Sequence, residues 1–215
     1  MRTKTLLLTA ALAAAGAASA MAQNVYSVNA VGYVNLSVPP GFSMIANTFV
    51  QADQNIATLI PAPPNQTTIY TVVGGVFNAT IYDDSIPGWD PTPGDLTLGG
   101  GGIIYNPTSS AFTITLVGEV KQGSPVSNPV APGITIKSSM IPQAGSMTAI
   151  GLVPVHNTTV YQYANDGTGH TDFIANIYDP TIPGWDPAEP TVKIGESFFI
   201  DSASGETWNR NFSVN

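Results

Sequence analysis

The chain has 215 residues, only 9% of them charged, with 6 basic against 14 acidic residues for a net charge of −8, and 0 cysteines. Lys and Arg are too few and too scattered to form the clustered cations that nucleic acid or an anionic membrane surface requires, so neither is expected as a partner. Without cysteine there is neither a disulfide nor a thiol nucleophile, and core burial must hold the fold.

Arg2 and Lys4 precede an apolar run from Leu6 to Ala18, followed by small residues and the triplet Ala20-Met21-Ala22. This pattern predicts a secretory leader over residues 1–22, cut before Gln23, with cleavage after Ala20 as the second choice. The run is too short and too rich in Ala and Gly to anchor in a bilayer, and no later segment can span one as a helix. The protein is therefore expected to be secreted, to the periplasm or the exterior. Loss of the leader leaves only Lys121, Lys137, Lys193 and Arg210 against 14 acidic residues.

Beyond the leader the signal is almost wholly β. Segments rich in Val, Ile, Thr, Phe and Tyr predict strands over 25–36, 43–46, 68–73, 76–82, 102–105, 112–117, 135–138, 146–151, 159–163, 172–178, 197–201 and 207–214. The 21 Gly and 18 Pro punctuate them at short intervals, which is hostile to long helices. One short helix is expected over 51–59, with Ala52, Ile56 and Leu59 near one face. The Pro-rich stretch 123–132 predicts an extended linker. It separates an N-terminal strand plus first β unit, 23–122, from a second β unit, 133–215.

These units are copies. Ile81-Tyr82-Asp83-Asp84-Ser85-Ile86-Pro87-Gly88-Trp89-Asp90-Pro91 returns as Ile177-Tyr178-Asp179-Pro180-Thr181-Ile182-Pro183-Gly184-Trp185-Asp186-Pro187. Pro40-Gly41 aligns with Pro132-Gly133, and Thr67-Thr68-Ile69-Tyr70 with Thr158-Thr159-Val160-Tyr161. The alignment lengthens around Asn165-Asp166-Gly167-Thr168-Gly169, a composition suited to a hairpin tip. Past it, Leu98, Gly99, Ile103 and Phe112 answer Ile194, Gly195, Phe199 and Trp208. The expected architecture is all-β, two tandem antiparallel β-sandwich or barrel-like units packed with pseudo-twofold symmetry.

The run from Asn24 to Asn35, then Gly41-Phe42-Ser43-Met44-Ile45-Ala46-Asn47, and later Gly195-Glu196-Ser197-Phe198-Phe199-Ile200 carry a resemblance. Over essentially the whole mature chain the sequence resembles uncharacterised secreted β-repeat proteins of verrucomicrobial-type environmental bacteria. The resemblance implies a β-rich extracytoplasmic protein on this doubled plan, and it carries over no catalytic residues, the group having no assigned activity. Gly99-Gly100-Gly101-Gly102 departs from that group's Gly-x-Gly-Phe-Phe-Val pattern in the first unit.

The four glycines lack the Lys-Ser or Lys-Thr of a phosphate-binding loop, so a turn leading into a strand is preferred. Asp83, Asp84, Asp90, Asp179 and Asp186 are candidate oxygen ligands for calcium, with Asp95, Glu189 and Glu196 nearby in sequence. Asp flanking a Pro-Gly turn is also what turn chemistry selects, because its carboxylate accepts from nearby amides, and this is the preferred reading. Trp89 and Trp185 are candidates for stacking on sugar rings, with Tyr70, Tyr82, Tyr161 and Tyr178 as companions. Repetition in both units favours a core-capping role instead. His156 and His170 lie in expected loops and have no counterparts in the first unit, and no Gly-x-Ser-x-Gly elbow or paired acid and base is apparent.

The expected function is accordingly non-enzymatic, with no required cofactor. The first choice is a structural or interaction protein of the cell surface or matrix, associating with itself through strand edges, the N-terminal strand foremost. The alternative is an extracellular carbohydrate-binding module, with calcium as its possible aid. An outer-membrane barrel is disfavoured by short, unequal strands and a terminal Asn215 in place of an aromatic.

Overall fold

The computed structural model describes residues 30–86, 88–165, 171–182 and 184–214, so the leader, residues 23–29 and His170 lie outside the described residues. The first unit contains β1 (Val31–Val38), β2 (Gly41–Ile45), α1 (Ile56–Leu59), β3 (Thr68–Val73), β4 (Val76–Asp83), β5 (Gly88–Asp90), β6 (Gly102–Asn106) and β7 (Phe112–Glu119). In the second are β8 (Gly123–Val130), β9 (Gly133–Ser138), β10 (Gly145–Ser146), β11 (Thr159–Asn165), β12 (Thr171–Asp179), β13 (Gly184–Asp186), β14 (Thr191–Val192), β15 (Ser197–Ser202) and β16 (Glu206–Phe212).

Each unit is a five-stranded antiparallel sheet covered by a two-stranded ribbon. The sheet orders are β2-β6-β3-β4-β5 and β9-β15-β11-β12-β13, position for position the same, and the ribbons are β1-β7 and β8-β16. The ribbons read as period-two amphipathic strands: Leu36, Val38, Ile114 and Leu116 turn inward while Asn35, Ser37, Thr113 and Thr115 alternate with them. In the first core those four side chains meet Ile45, Ile69 and Ile104 of the sheet, with Phe49, Ile56 and Leu59. Val130 and Trp208 of the second ribbon likewise meet Val160, Phe198 and Ile200, with Met147, Ile150 and Leu152. Both layers bury their apolar faces on each other, the sandwich solution for antiparallel sheets. No helix among the described residues is long and apolar enough to cross a membrane.

The expected linker is corrected by this geometry. Residues 123–130 are strand β8, the counterpart of β1, and they pair with β16 from Val130↔Glu206 to Gly123↔Phe212. Pro125 and Pro129 are tolerated because β8 has a ribbon partner on one side only, so an absent N–H need not break a ladder. The N-terminal strand is equally committed. Over its whole length β1 pairs with β7, from Val31↔Glu119 to Val38↔Phe112, and therefore is no spare strand. Since Leu36 pairs with Ile114 and Asn128 with Trp208, the structural equivalent of Trp208 is Ile114, two residues beyond the expected Phe112.

Two further elements contract. The expected helix over 51–59 forms only at Ile56–Leu59, started by Asn55, whose side chain accepts from the Ala57 amide at 3.0 Å. The expected strand over 146–151 is confined to Gly145–Ser146, and the following residues form a turn in which the Ile150 amide donates to the Ser146 carbonyl at 3.0 Å.

The two units pack reciprocally. The Ala46 amide donates to the Gly195 carbonyl at 2.8 Å, and the equivalent Ser138 amide donates to the Gly99 carbonyl at 3.0 Å. Such an exchange of equivalent groups is the signature of an isologous, twofold-related interface, here within one chain.

Candidate functional site

The repeated turns come first, because the acidic candidates lie there. One carboxylate oxygen of Asp83 accepts from the Ser85 amide at 2.9 Å and its hydroxyl at 2.7 Å. In the second copy Asp179 accepts from the Thr181 amide at 2.8 Å and its hydroxyl at 2.7 Å. The Ser85 hydroxyl and amide hold the Asp83 carboxyl below the usual range, and the Thr181 amide and hydroxyl do the same for Asp179, with help from His156. His156 Nε2 lies 3.6 Å from Asp179 and is more than half exposed. Asp84, Asp90 and Asp186 are exposed. Among the described residues no three His, Asp or Glu side chains gather into a group that could hold a metal ion. Asp83 and Asp179 thus perform turn chemistry, and the five candidate ligands are not brought together.

The tryptophans are differently placed from a sugar platform. Trp89 is 9% exposed, and its indole N–H donates to the Ile60 carbonyl at 3.0 Å, at the end of α1. Its ring meets Tyr82 edge to face at 5.6 Å, just as Trp185 meets Tyr178 at 5.5 Å. Trp185 is half-buried against the second core. Both close the ends of their cores, which removes Trp89 as a stacking surface. Glu196, the carboxylate aligned with the glycine run, is pushed up by burial and accepts from the Lys193 amide at 2.8 Å.

The concave surface lies elsewhere, on the outward faces of the two five-stranded sheets where the units meet. Cross-strand pairing puts Phe42, Tyr105 and Ile81 on one face of the first sheet together with Tyr70 and Phe77. The corresponding face of the second carries Phe173, Tyr163 and Phe199. Phe77 crosses to Phe199 at 6.4 Å, and Phe199 meets Phe173 at 5.9 Å. Phe42 meets Tyr105 at 4.8 Å, and Tyr163 meets Phe173 at 5.0 Å. Between them opens a cleft of about 510 Å³, lined by Phe42, Met44, Tyr70, Phe77, Ile103, Tyr163 and Phe173.

Two more polar grooves flank it and are equivalent across the pseudo-twofold. One, about 360 Å³, runs between β1–β2 and the Lys193 to Glu196 segment. The other, about 710 Å³, runs between the β3–β4 hairpin and the β8–β9 segment. Lys137 lines the larger one, its ammonium pKa lowered by burial while it donates to Asn128 at 3.3 Å.

The backbone offers a second kind of surface. β4 pairs with β5 only from Ile81 to Asp83, and β12 with β13 only from Ile177 to Asp179. The rest of each outer edge has no strand partner among the described residues. The β3–β4 hairpin closes at Val73↔Val76 through the left-handed pair Gly74-Gly75, which makes that closing pair hydrogen-bonded. Alternation then turns the N–H and C=O of Phe77 and Ala79 outward. In β12 the inward bonding of Tyr178 to the 157–158 segment assigns the same outward role to Phe173 and Ala175.

Sequence reasoning reached Tyr70 but missed Phe42, Phe77, Tyr163 and Phe173. Its available signal was the alternation Phe77-Ala79-Ile81, repeated as Phe173-Ala175-Ile177, which by itself suggests a core-facing phase. Comparison with models of protein families, with curated proteins and with solved structures finds no match to this chain.

Proposed function

We propose that the protein is a secreted, non-enzymatic structural or interaction protein of the bacterial cell surface or extracellular matrix, joining its neighbours through strand edges. The observation that carries this reading is the pair of open edges on β4 and β12. Edges of soluble proteins are ordinarily blunted by Lys, Pro or a covering element. Here the open stretches read Val76-Phe77-Asn78-Ala79-Thr80 and Thr171-Asp172-Phe173-Ile174-Ala175-Asn176, without Lys or Pro. Val76, Phe77, Phe173 and Ile174 are all exposed large apolar residues along them. Duplication supplies the edge twice, so each molecule has two valences of similar sequence, and antiparallel addition of a further strand to each extends an open-ended chain of subunits.

The test is the mass of the chain from Gln23, by size-exclusion chromatography with light scattering over a concentration series. Wild type is expected to grow in mass with concentration. Ala79→Pro combined with Ala175→Pro removes one outward donor from each edge and leaves the hairpin bonds in place, so this variant is expected to stay monomeric. A wild type that is monomeric at every concentration overturns the proposal.

A further inference from the structure

We infer that the cleft between the two sheets is a binding site for an uncharged small molecule bearing an apolar ring, a role that uses the rings of Phe77 and Phe173 where strand addition uses their backbone groups. Its volume of about 510 Å³ falls in the range of small-ligand sites, roughly 300–1,000 Å³.

The chemistry of the lining selects the ligand. Five of the seven lining residues are aromatic, and the other two are Met44 and Ile103. No carboxylate, ammonium or guanidinium lines the cleft, so a charged group would be desolvated there without a partner. The net charge of −8 adds long-range repulsion against anions. Neutral ligands remain. The rings meet at angles between 45° and 67°, in pairs such as Phe42–Tyr105, Tyr163–Phe173 and Phe77–Phe199. A ring inserted among them gains edge-to-face and offset contacts, which a flexible alkyl chain does not. Tyr70 and Tyr163 supply the only hydroxyls of the lining, a polar handle for one hydrogen-bonding group on the ligand.

Exposure points the same way. Phe77 and Phe173, equivalent residues of the two repeats, stand 55% and 52% exposed while lining a single cleft. A ligand between them covers both rings at once and removes apolar surface that the free protein leaves in water.

The experiment titrates the chain from Gln23 with N-phenyl-1-naphthylamine, a neutral two-ring fluorophore, and in parallel with 8-anilinonaphthalene-1-sulfonate, which adds a sulfonate to the same skeleton. Saturable binding of the neutral probe at one site per chain is expected, with the sulfonate weaker by about tenfold or more. Phe77→Ala with Phe173→Ala should weaken the neutral probe by about tenfold, since each ring contact contributes a fraction of that factor. Both residues are over half exposed, so the variant retains the fold, which circular dichroism checks. Probe at a fixed concentration should raise the unfolding temperature of wild type more than that of the double variant. Non-saturating fluorescence, equal affinity for the sulfonate, or full affinity in the double variant overturns the inference.

Discussion

Gly101 lies directly against Ser197, its own counterpart in the second repeat: a Cβ on Gly101 would come 2.3 Å from the Cβ of Ser197 and 2.8 Å from Ile136 Cγ2. A residue that touches its own equivalent marks the pseudo-twofold axis. The neighbouring glycines serve the same close approach, Gly99 against Asn128 and Met140, and Gly195 against Leu36. The run Gly99 to Gly102 is thus a packing device where the units meet.

Gly101→Ala is expected to lower stability by about 1–3 kcal/mol, the usual cost of overpacking a well-filled contact. Adding Ser197→Gly reopens the space and should recover part of that loss despite the entropic cost of a strand glycine. Gly94→Ala, where a Cβ meets nothing within 4 Å, is the neutral control. Urea unfolding of wild type, Gly101→Ala, Ser197→Gly, the double variant and Gly94→Ala measures this, and additive effects of Gly101→Ala and Ser197→Gly would contradict the axis contact.

Asn165 belongs to the part of the β11–β12 hairpin that has no equivalent in the shorter β3–β4 turn. Its side-chain amide donates to the Pro40 carbonyl at 2.9 Å and the Phe42 carbonyl at 2.6 Å, tying the second unit to the edge of β2. Asn165→Ala should destabilise by about 1–2 kcal/mol, in line with two net hydrogen bonds. An unchanged denaturation midpoint would show that these bonds merely replace water.

Trp89→Ala should cost about 3–5 kcal/mol, the range for emptying a large aromatic site. Trp89→Phe should cost less and report mainly the Ile60 carbonyl left without its donor. Since Trp185 is only half-buried, Trp185→Ala is expected to cost less than Trp89→Ala, and thermal melts of the two give the order directly.

Glu206 governs a pH effect. Burial pushes its carboxyl above the usual value of 4.5, although it accepts from the Val155 amide at 3.0 Å and the Thr158 hydroxyl at 3.2 Å. A carboxyl raised in the folded state binds its proton more tightly there than in the unfolded chain. Its contribution is therefore fully present below the ordinary carboxyl range and is lost as pH rises through the folded value. Glu206→Gln keeps an acceptor and cannot ionise, so the difference in melting temperature, variant minus wild type, should become more positive from acid toward neutral pH. A difference constant with pH would rule the effect out.

Much of this plan was legible in the residues and some was not. Asp83 and Asp179 could be read as turn residues because an Asx side chain finds its amide two positions away, a local event. The Pro-rich segment 123–130 misled because proline content speaks of one strand's donors and not of whether its other side needs them. Paired only with β16, β8 does not. Equivalence of Trp208 with Ile114 was hidden for a related reason, since register is fixed by cross-strand partners that are distant in sequence.

The sequence by itself determined the β class, the duplication and the turn chemistry, because these follow from local propensity and from comparing the chain with itself. Tertiary structure decided which phase of each strand faces the core. In β4 and β12 the polar Thr80 and Asn176 are buried, while Phe77, Ile81, Phe173 and Ile177 face outward. Period-two alternation carries two faces of equal claim, and only the packing of a second layer, and of a second unit, chooses between them.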